Sequence, residues 1–210
     1  MRRHQGLRLR AAKLAAAAAA LKRQSGPHLK FGEPPFSLAF LTDAHRAPHP
    51  LLVARVLPRE SAVILRDYTM RGRAGLAAQL KSVCSARGVK LIVGADMALA
   101  KRIGADGVHL PRWFSPAGPL PGAMIVTASA HDAQELKRAK ELGADLALLS
   151  PAFPTGSHPD SESLGAAALK RLAAASPVPV LALGGVDETN APMLAGPNVA
   201  GLAAIGAFLD

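Results

Sequence analysis

The chain has 210 residues and a formal net charge of +10, and half of its residues are hydrophobic. This length suits one large domain or two small ones, and the apolar content is sufficient for a substantial core. A single cysteine, Cys84, excludes disulfides within the chain and cysteine-based zinc sites, and it favours a reducing, cytoplasmic location. No apolar run approaches the roughly 18 residues that cross a membrane. An aromatic content of 4% argues against binding of single-stranded nucleic acid by base stacking.

Most of the positive charge lies in the first thirty residues. This segment holds eight of the 25 basic residues and none of the 15 acidic ones, so the rest of the chain carries 17 basic and 15 acidic residues, a net charge of only +2. Its centre is an alanine run flanked by cations, which predicts a helix over about residues 6–23. We therefore divide the chain into a basic helical extension, residues 1–30, and a main domain, residues 31–210.

Three interpretations of the basic extension are open. Leu7, Leu14 and Leu21 recur every seven residues and form a thin apolar stripe, which would pack against the main domain and leave the basic face in solvent. The alternatives are a nucleic-acid-binding arm and a helix that lies on a membrane surface. We favour packing against the domain, because isolated leucines bury little area in a bilayer and no bulky aromatic residue anchors them there.

From residue 36 onward, short apolar runs alternate with amphipathic segments. The apolar runs predict eight strands, at 36–42, 62–66, 90–93, 107–110, 123–128, 145–149, 179–183 and 199–205. The segments between them predict helices at 50–57, 73–87, 96–103, 133–142, 166–174 and 188–194, with a last helix or stub at 206–210. Eight such units indicate a parallel sheet closed into a compact (β/α)8 TIM barrel. An open doubly wound sheet is the alternative, although no Gly-x-Gly-x-x-Gly follows the first strand.

Residues at the carboxyl ends of the strands carry the chemistry of a barrel. Gly184 and Gly185 follow the seventh strand and, with Ile205 and Gly206 after the eighth, predict a phosphate site made of backbone N–H groups. The alternative is a tight strand-to-helix turn. His131 follows the fifth strand, where a histidine can act as acid and base near neutral pH, or stand as a bystander beside a helix cap. The other candidates are polar residues at the remaining strand ends: Arg66, Asp96, His109, Ser129, Thr155, Ser157 and His158.

Six stretches of the main domain match, in order and roughly in spacing, the motifs of one enzyme family. They read Phe40-Leu-Thr-Asp43, Ala105-Asp-Gly-Val-His-Leu110, Ser129-Ala-His131, Ser150-Pro-Ala-Phe-Pro-Thr155, Leu183-Gly-Gly-Val186 and Gly201-Leu-Ala-Ala-Ile205. Over about residues 36–208 the chain resembles the thiamin phosphate synthase and TenI family of compact (β/α)8 barrels. The resemblance implies a role in thiamin biosynthesis and a small phosphorylated thiazole or pyrimidine as ligand.

The two branches of this family imply different chemistry. The synthases join a hydroxymethylpyrimidine diphosphate to a thiazole phosphate and release pyrophosphate with the help of Mg²⁺. TenI-like members are thiazole tautomerases, in which a histidine after the fifth strand moves a proton on a thiazole carboxylate phosphate. His131 matches that histidine, and Arg66 or Arg112 would pair with the carboxylate of the substrate.

The chain departs from the synthase pattern at the residues that serve the metal and the diphosphate. The lysine expected two residues after Arg66 is Tyr68, and the Asn-Asp pair expected after the third strand aligns with Gly94-Ala95. The Gly-Gln-x-Asp expected after the fourth strand reads Pro111-Arg-Trp-Phe114, so a second acid is missing. Asp96 is the remaining metal candidate. The resemblance therefore implies no certain cofactor, and Mg²⁺ is required only if the chain is a synthase.

These features together predict a cytoplasmic, TenI-like protein with His131 as its proton-transfer residue. Thiamin phosphate synthase itself is the first alternative, with Asp43, Asp67 or Asp96 holding Mg²⁺. A non-catalytic sensor of a phosphorylated ligand is the second. We expect neither a membrane nor nucleic acid as a partner, and we leave homo-oligomerisation open.

Overall fold

The computed structural model describes residues 2–25, 33–118, 120, 122–155 and 162–209, and for residues 2–4 the backbone alone. Eight parallel strands close into a barrel in chain order, with β8 paired to β1. The strands are β1 (Leu38–Leu41), β2 (Ser61–Leu65), β3 (Lys90–Gly94), β4 (Gly107–Leu110), β5 (Ile125–Ala130), β6 (Leu146–Leu149), β7 (Val180–Leu183) and β8 (Val199–Ala204). Every predicted strand is present with its ends shifted by at most two residues. The prediction of a (β/α)8 barrel is confirmed.

Helices cover the outside of the barrel. They are α1 (Arg2–Ser25), α2 (Pro50–Val56), α3 (Arg73–Arg87), α4 (Met97–Ile103), α5 (Ala133–Glu141) and α6 (Gly165–Ala175). The ends of α2 to α6 lie within one residue of their predicted positions. Within the described residues, no helix is both long and apolar enough to cross a membrane.

The helix predicted at 188–194 is wrong in its extent. Only Ala191–Leu194 is helical, as a 3₁₀ turn. Asp187 Oδ1 accepts hydrogen bonds from the backbone N–H groups of Thr189 and Asn190 at 2.8 and 3.0 Å. This side-chain-capped turn occupies the start of the predicted helix, because an aspartate can satisfy its neighbours' N–H groups without a helix. After β8, the predicted stub is a 3₁₀ turn at Gly206–Phe208.

The strands are buried on both faces, since the barrel interior packs on itself and the helices cover the exterior. The β8–β1 seam is fixed by a contact of Phe40 with Phe208, whose rings meet edge to face with centroids 5.3 Å apart. Gly201 in β8 has a φ of +150°, and a Cβ there would collide with the Ser37 carbonyl oxygen. Only glycine fits at this point of the barrel wall.

The basic extension is part of the helical layer. α1 packs chiefly against β8 and also contacts α2. Its buried face consists of small and apolar side chains: Ala11, Leu14, Ala18 and Leu21. At its end, Ser25 Oγ donates a hydrogen bond to the Val199 carbonyl oxygen at 2.6 Å. Leu7 is only partly buried, and Arg8 and Arg23 are exposed. The helix is longer than the predicted 6–23, and it packs on the barrel through its small and apolar face.

Candidate active site

A cavity of about 760 Å³ opens at the carboxyl ends of the strands. Nine of the residues predicted for the site line it: Arg66, His109, Ser129, His131, Thr155, Gly184, Gly185, Ile205 and Gly206. The predicted residues Ser157 and His158 lie outside the described residues. The nine come together because the carboxyl ends of parallel barrel strands form one rim. Their roles as binding or catalytic groups remain predictions.

The glycine turn after β7 lies against the loop that follows β6. Gly184 and Gly185 have φ values of +92° and +66°. A Cβ at Gly185 would lie 2.5 Å from the Pro154 carbonyl oxygen and 2.8 Å from that of Phe153. Gly185 is therefore required by both its left-handed backbone and its close approach to another loop. The same backbone borders the cavity beside Gly206, in the position where barrels commonly bind phosphate.

We expect the Gly185→Ala substitution to weaken binding of a phosphorylated ligand by at least about tenfold. The added methyl group must displace the backbone at Pro154 and so reshape the cavity wall. Titration calorimetry with thiazole phosphate measures this loss. Gly143→Ala is the matched control, because Gly143 has a φ of +72° and open space around its Cβ position. It carries the same left-handed strain away from the cavity and is expected to leave the affinity unchanged; an equal loss in both variants would contradict the phosphate assignment.

His109 is a buried histidine in β4 that bridges two hydroxyl groups of β5. Its Nδ1 lies 2.9 Å from Thr127 Oγ1 and its Nε2 lies 3.0 Å from Ser129 Oγ. Burial, followed by the nearby charge of Arg66, lowers the pKa of His109 to about 4. The imidazole is therefore neutral near pH 7, with one donor nitrogen and one acceptor nitrogen. Its contacts fix the hydroxyl of Ser129, which lines the cavity.

His131 stands on the cavity wall where β5 passes into α5. Its side chain is 40% exposed, and its Nδ1 lies 2.7 Å from Glu135 Oε2. The N-cap of α5 is Asp132, whose Oδ1 accepts a hydrogen bond from the Glu135 backbone N–H at 2.8 Å. Asp132 therefore caps α5, as the bystander alternative expected. His131 itself lines the cavity and pairs with Glu135.

Arginines supply positive charge to the cavity. Arg46, Arg66 and Arg112 line it. Asp43 Oδ2 accepts hydrogen bonds from Arg66 Nη2 at 2.7 Å and from Arg46 Nε at 3.0 Å. Burial alone would raise the pKa of the Asp43 carboxyl, but hydrogen bonds from Arg46 and the charges of both arginines bring it below its usual value. Asp43 is therefore an ionised group that orients arginines.

The acidic residues do not fit a magnesium site. Asp96 Oδ1 accepts the N-cap hydrogen bond of α4 from Leu99 N at 2.8 Å, and Oδ2 pairs with Arg73 Nη1 at 3.3 Å. Asp96 is also absent from the described residues that line the cavity. Asp67 Oδ1 accepts a hydrogen bond from a backbone N–H at 2.7 Å. No cluster of three or more histidine, cysteine, aspartate or glutamate side chains suited to a metal occurs in the described part of the chain. The structure thus gives Asp96 a capping role instead of the candidate metal role.

Two residues that bear on the site were not predicted: Arg46, which lines the cavity, and Glu135, which contacts His131. Arg46 lies in the loop after β1, and only the pairing with Asp43 shows that this loop folds back over the cavity. Glu135 lies in the first turn of α5, four residues after His131, which precedes the helix. That spacing is visible in the sequence and could have identified Glu135.

The comparison with protein families agrees with this geometry. Residues 38–208 match the family model described as thiamine monophosphate synthase. The chain belongs to the thiamine monophosphate synthase/TenI family. Its cavity thus occupies the barrel mouth of a thiamine monophosphate synthase fold.

Relatives of this family member carry the synthase name. The chain is 37% identical to the thiamine-phosphate synthase of Geobacillus kaustophilus over 138 residues, which cover 63% of this chain and 62% of that protein. It is 34% identical to the thiamine-phosphate synthase of Limosilactobacillus reuteri over 182 residues, covering 80% and 85% of the two chains. The thiamine phosphate pyrophosphorylase structure from Pyrococcus furiosus shares the fold, with a TM-score of 0.70 and 24% identity over 82% of this chain and 86% of that chain.

In this thiamine monophosphate synthase family member, Tyr68 and Gly94, which both depart from the synthase pattern, pack against each other. A Cβ at Gly94 would lie 2.8 Å from the ring of Tyr68 and 2.9 Å from the Leu65 carbonyl oxygen. Tyr68 therefore requires a glycine at position 94, where the synthase pattern has a polar side chain. The Tyr68 ring also packs edge to face on Trp113, with centroids 5.2 Å apart. Two of the departures from the synthase pattern, Tyr68 and Gly94, thus depend on each other, and Trp113 packs on the same ring.

Proposed function

We propose that this protein is a thiazole tautomerase of the TenI type. The observation that carries the proposal is the composition of the cavity: a histidine held by a carboxylate lies in the same cavity as a glycine turn, whereas Asp96 caps α4 and Asp43 pairs with two arginines. Proton transfer needs a histidine held in place beside the substrate. Transfer of a diphosphate-bearing pyrimidine needs a metal site, which acidic residues engaged with a helix cap and arginines do not offer.

The proposed reaction assigns one role to each group. The backbone at Gly184, Gly185 and Gly206 holds the phosphate of a thiazole carboxylate phosphate. Arg66 pairs with the carboxylate of the substrate, while Asp43 keeps its guanidinium in place. His131 removes a proton from one carbon of the thiazole unit and returns it to another, so that the net change is an isomerisation and the histidine ends in its starting state. No step of this reaction passes through Mg²⁺.

Thiamin phosphate synthase is the second candidate. The names of its relatives favour it, since proteins 37% and 34% identical to this chain are called thiamine-phosphate synthases. It would require a phosphorylated pyrimidine in addition to the thiazole. Asp43, Asp67 or Asp96, which accept the hydrogen bonds described above, would then hold the metal.

Two assays on the same preparation separate these functions. We expect the protein to isomerise thiazole carboxylate phosphate in D₂O, with solvent deuterium appearing in the product by NMR. We expect no pyrophosphate release from hydroxymethylpyrimidine diphosphate and thiazole phosphate in the presence of Mg²⁺. Pyrophosphate release without isomerisation would overturn the proposal in favour of the synthase. Binding of the thiazole phosphate without turnover in either assay would overturn it in favour of a ligand sensor.

A further inference from the structure

The Glu135 carboxylate, in the first turn of α5, accepts two hydrogen bonds and forms one ion pair. Its Oε2 accepts from the backbone N–H of His131 at 2.8 Å and from the ring Nδ1 of His131 at 2.7 Å. Its Oε1 lies 3.1 Å from Arg112 Nε. The Glu135 side chain is 15% exposed, against 40% for His131 and 67% for Arg112. The carboxylate is thus the inner member of an Arg112–Glu135–His131 cluster whose histidine faces the cavity.

The short contact fixes the arrangement of protons on His131. An ionised carboxylate only accepts hydrogen bonds, so the ring nitrogen that faces Glu135 must carry the hydrogen. In the neutral imidazole the second nitrogen, Nε2, is then the unprotonated one. The backbone N–H of His131 donates to the same oxygen, so the ring and the main chain are held by a single atom of Glu135.

We infer that Glu135 is the positioning residue of the site: it holds His131 as the Nδ1–H tautomer and thereby makes Nε2 the atom that accepts and returns the proton. The proton moves from substrate carbon to Nε2 and back, while the Nδ1 hydrogen stays on Nδ1 throughout. This inference rests on the proposed proton transfer for its catalytic meaning. The tautomer itself is a property of the ligand-free protein.

Arg112 contributes by fastening Glu135 to the loop that follows β4. Its Nε contacts the second carboxylate oxygen. The same loop is tied to α5, because Arg138 donates hydrogen bonds to the carbonyl oxygens of Arg112 at 3.1 Å and Phe114 at 2.8 Å. The cluster therefore stands on a helix and a loop that are joined to each other, which is the support that a precisely oriented base requires.

The test combines a spectroscopic readout with kinetics on the full chain. Nitrogen-15 NMR of histidine-labelled, ligand-free protein reports which ring nitrogen carries hydrogen, and His131→Gln identifies the His131 signal among the seven histidines. We expect the Nδ1–H tautomer in the parent protein and a mixture of tautomers in Glu135→Ala. We expect kcat for the isomerisation to fall about 10- to 100-fold in Glu135→Ala, with KM within about twofold.

Two further variants keep the result interpretable. Glu135→Gln retains an oxygen that can accept from Nδ1, so the tautomer is expected to persist with a smaller loss of kcat; this variant also serves if Glu135→Ala does not fold. Glu141→Ala removes an exposed carboxylate from the same helix and is expected to change neither readout. The inference is overturned by an Nε2–H tautomer in the parent protein, or by a Glu135→Ala variant with unchanged tautomer and kcat. Absence of isomerase activity in a protein that shows the Nδ1–H tautomer would overturn the proposed function and leave the tautomer assignment standing.

Discussion

Replacement of His131 by alanine is expected to lower kcat for thiazole carboxylate phosphate isomerisation by at least about 100-fold, the usual contribution of a general acid–base group. The affinity for the phosphorylated ligand is expected to stay within about twofold of the parent value, because the glycine turn that would hold the phosphate is formed by other strands. Stopped-assay NMR of the product measures kcat, and calorimetry measures the affinity.

The control for this variant is His49→Ala. His49 precedes α2, is exposed, makes no side-chain capping hydrogen bond and does not line the cavity. The His49→Ala substitution removes an imidazole that takes no part in the proposed reaction, so the kcat of this variant should match that of the parent. Unchanged kcat in His131→Ala would remove this residue from the mechanism. Weaker ligand affinity with unchanged kcat would mean that His131 serves binding alone.

The architecture could be predicted from the sequence because the strands obey one simple rule. Both faces of each strand are buried, so β6 and β7 appear as continuous apolar runs bounded by glycine, proline or polar residues. Functional residues of a barrel follow the carboxyl ends of its strands. This rule then located most of the cavity wall, because it depends only on the direction of the strands.

The roles of the acidic residues could not be predicted, for a physical reason. Asp96 stands between a strand and a helix, where an aspartate can cap the helix or hold a metal, and both uses leave the same residue in the sequence. The choice is made by Arg73, which lies 23 positions earlier and meets Asp96 only in the folded chain. Arg46 was missed for the same reason. It pairs with Asp43, which also pairs with Arg66, and Arg66 follows the next strand along the chain.

Two of the substitutions that separate this chain from the synthase pattern, Tyr68 and Gly94, are coupled by packing. Tyr68 occupies the space beside Gly94, and its ring contacts Trp113, which also meets Phe114 with ring centroids 5.9 Å apart. Restoring a polar side chain at position 94 alone would strike the Tyr68 ring. A return of position 94 to the synthase pattern therefore requires a change at position 68 as well.

The packing of α1 on the barrel is expected to contribute strongly to the free energy of unfolding. Replacing Leu14 and Leu21 together by alanine is expected to lower the free energy of unfolding by about 4 kcal/mol or more, because each buried leucine contributes about 2 to 5 kcal/mol. Both side chains are at most 2% exposed against the barrel. The two positions are seven residues apart and their effects should add. Denaturant unfolding of the full chain, followed by circular dichroism, measures the loss.

Leu9→Ala is the matched control on the same helix, since Leu9 is 60% exposed and its truncation is expected to change the free energy of unfolding by less than about 0.5 kcal/mol. Replacement of the exposed Arg8 by alanine should be equally neutral. If α1 were an arm for an external partner, the buried and exposed leucines would respond alike. A large difference between them would instead mean that α1, which carries most of the positive charge, is part of the helical layer around the barrel. Its apolar face and the Ser25 contact with β8 hold it there.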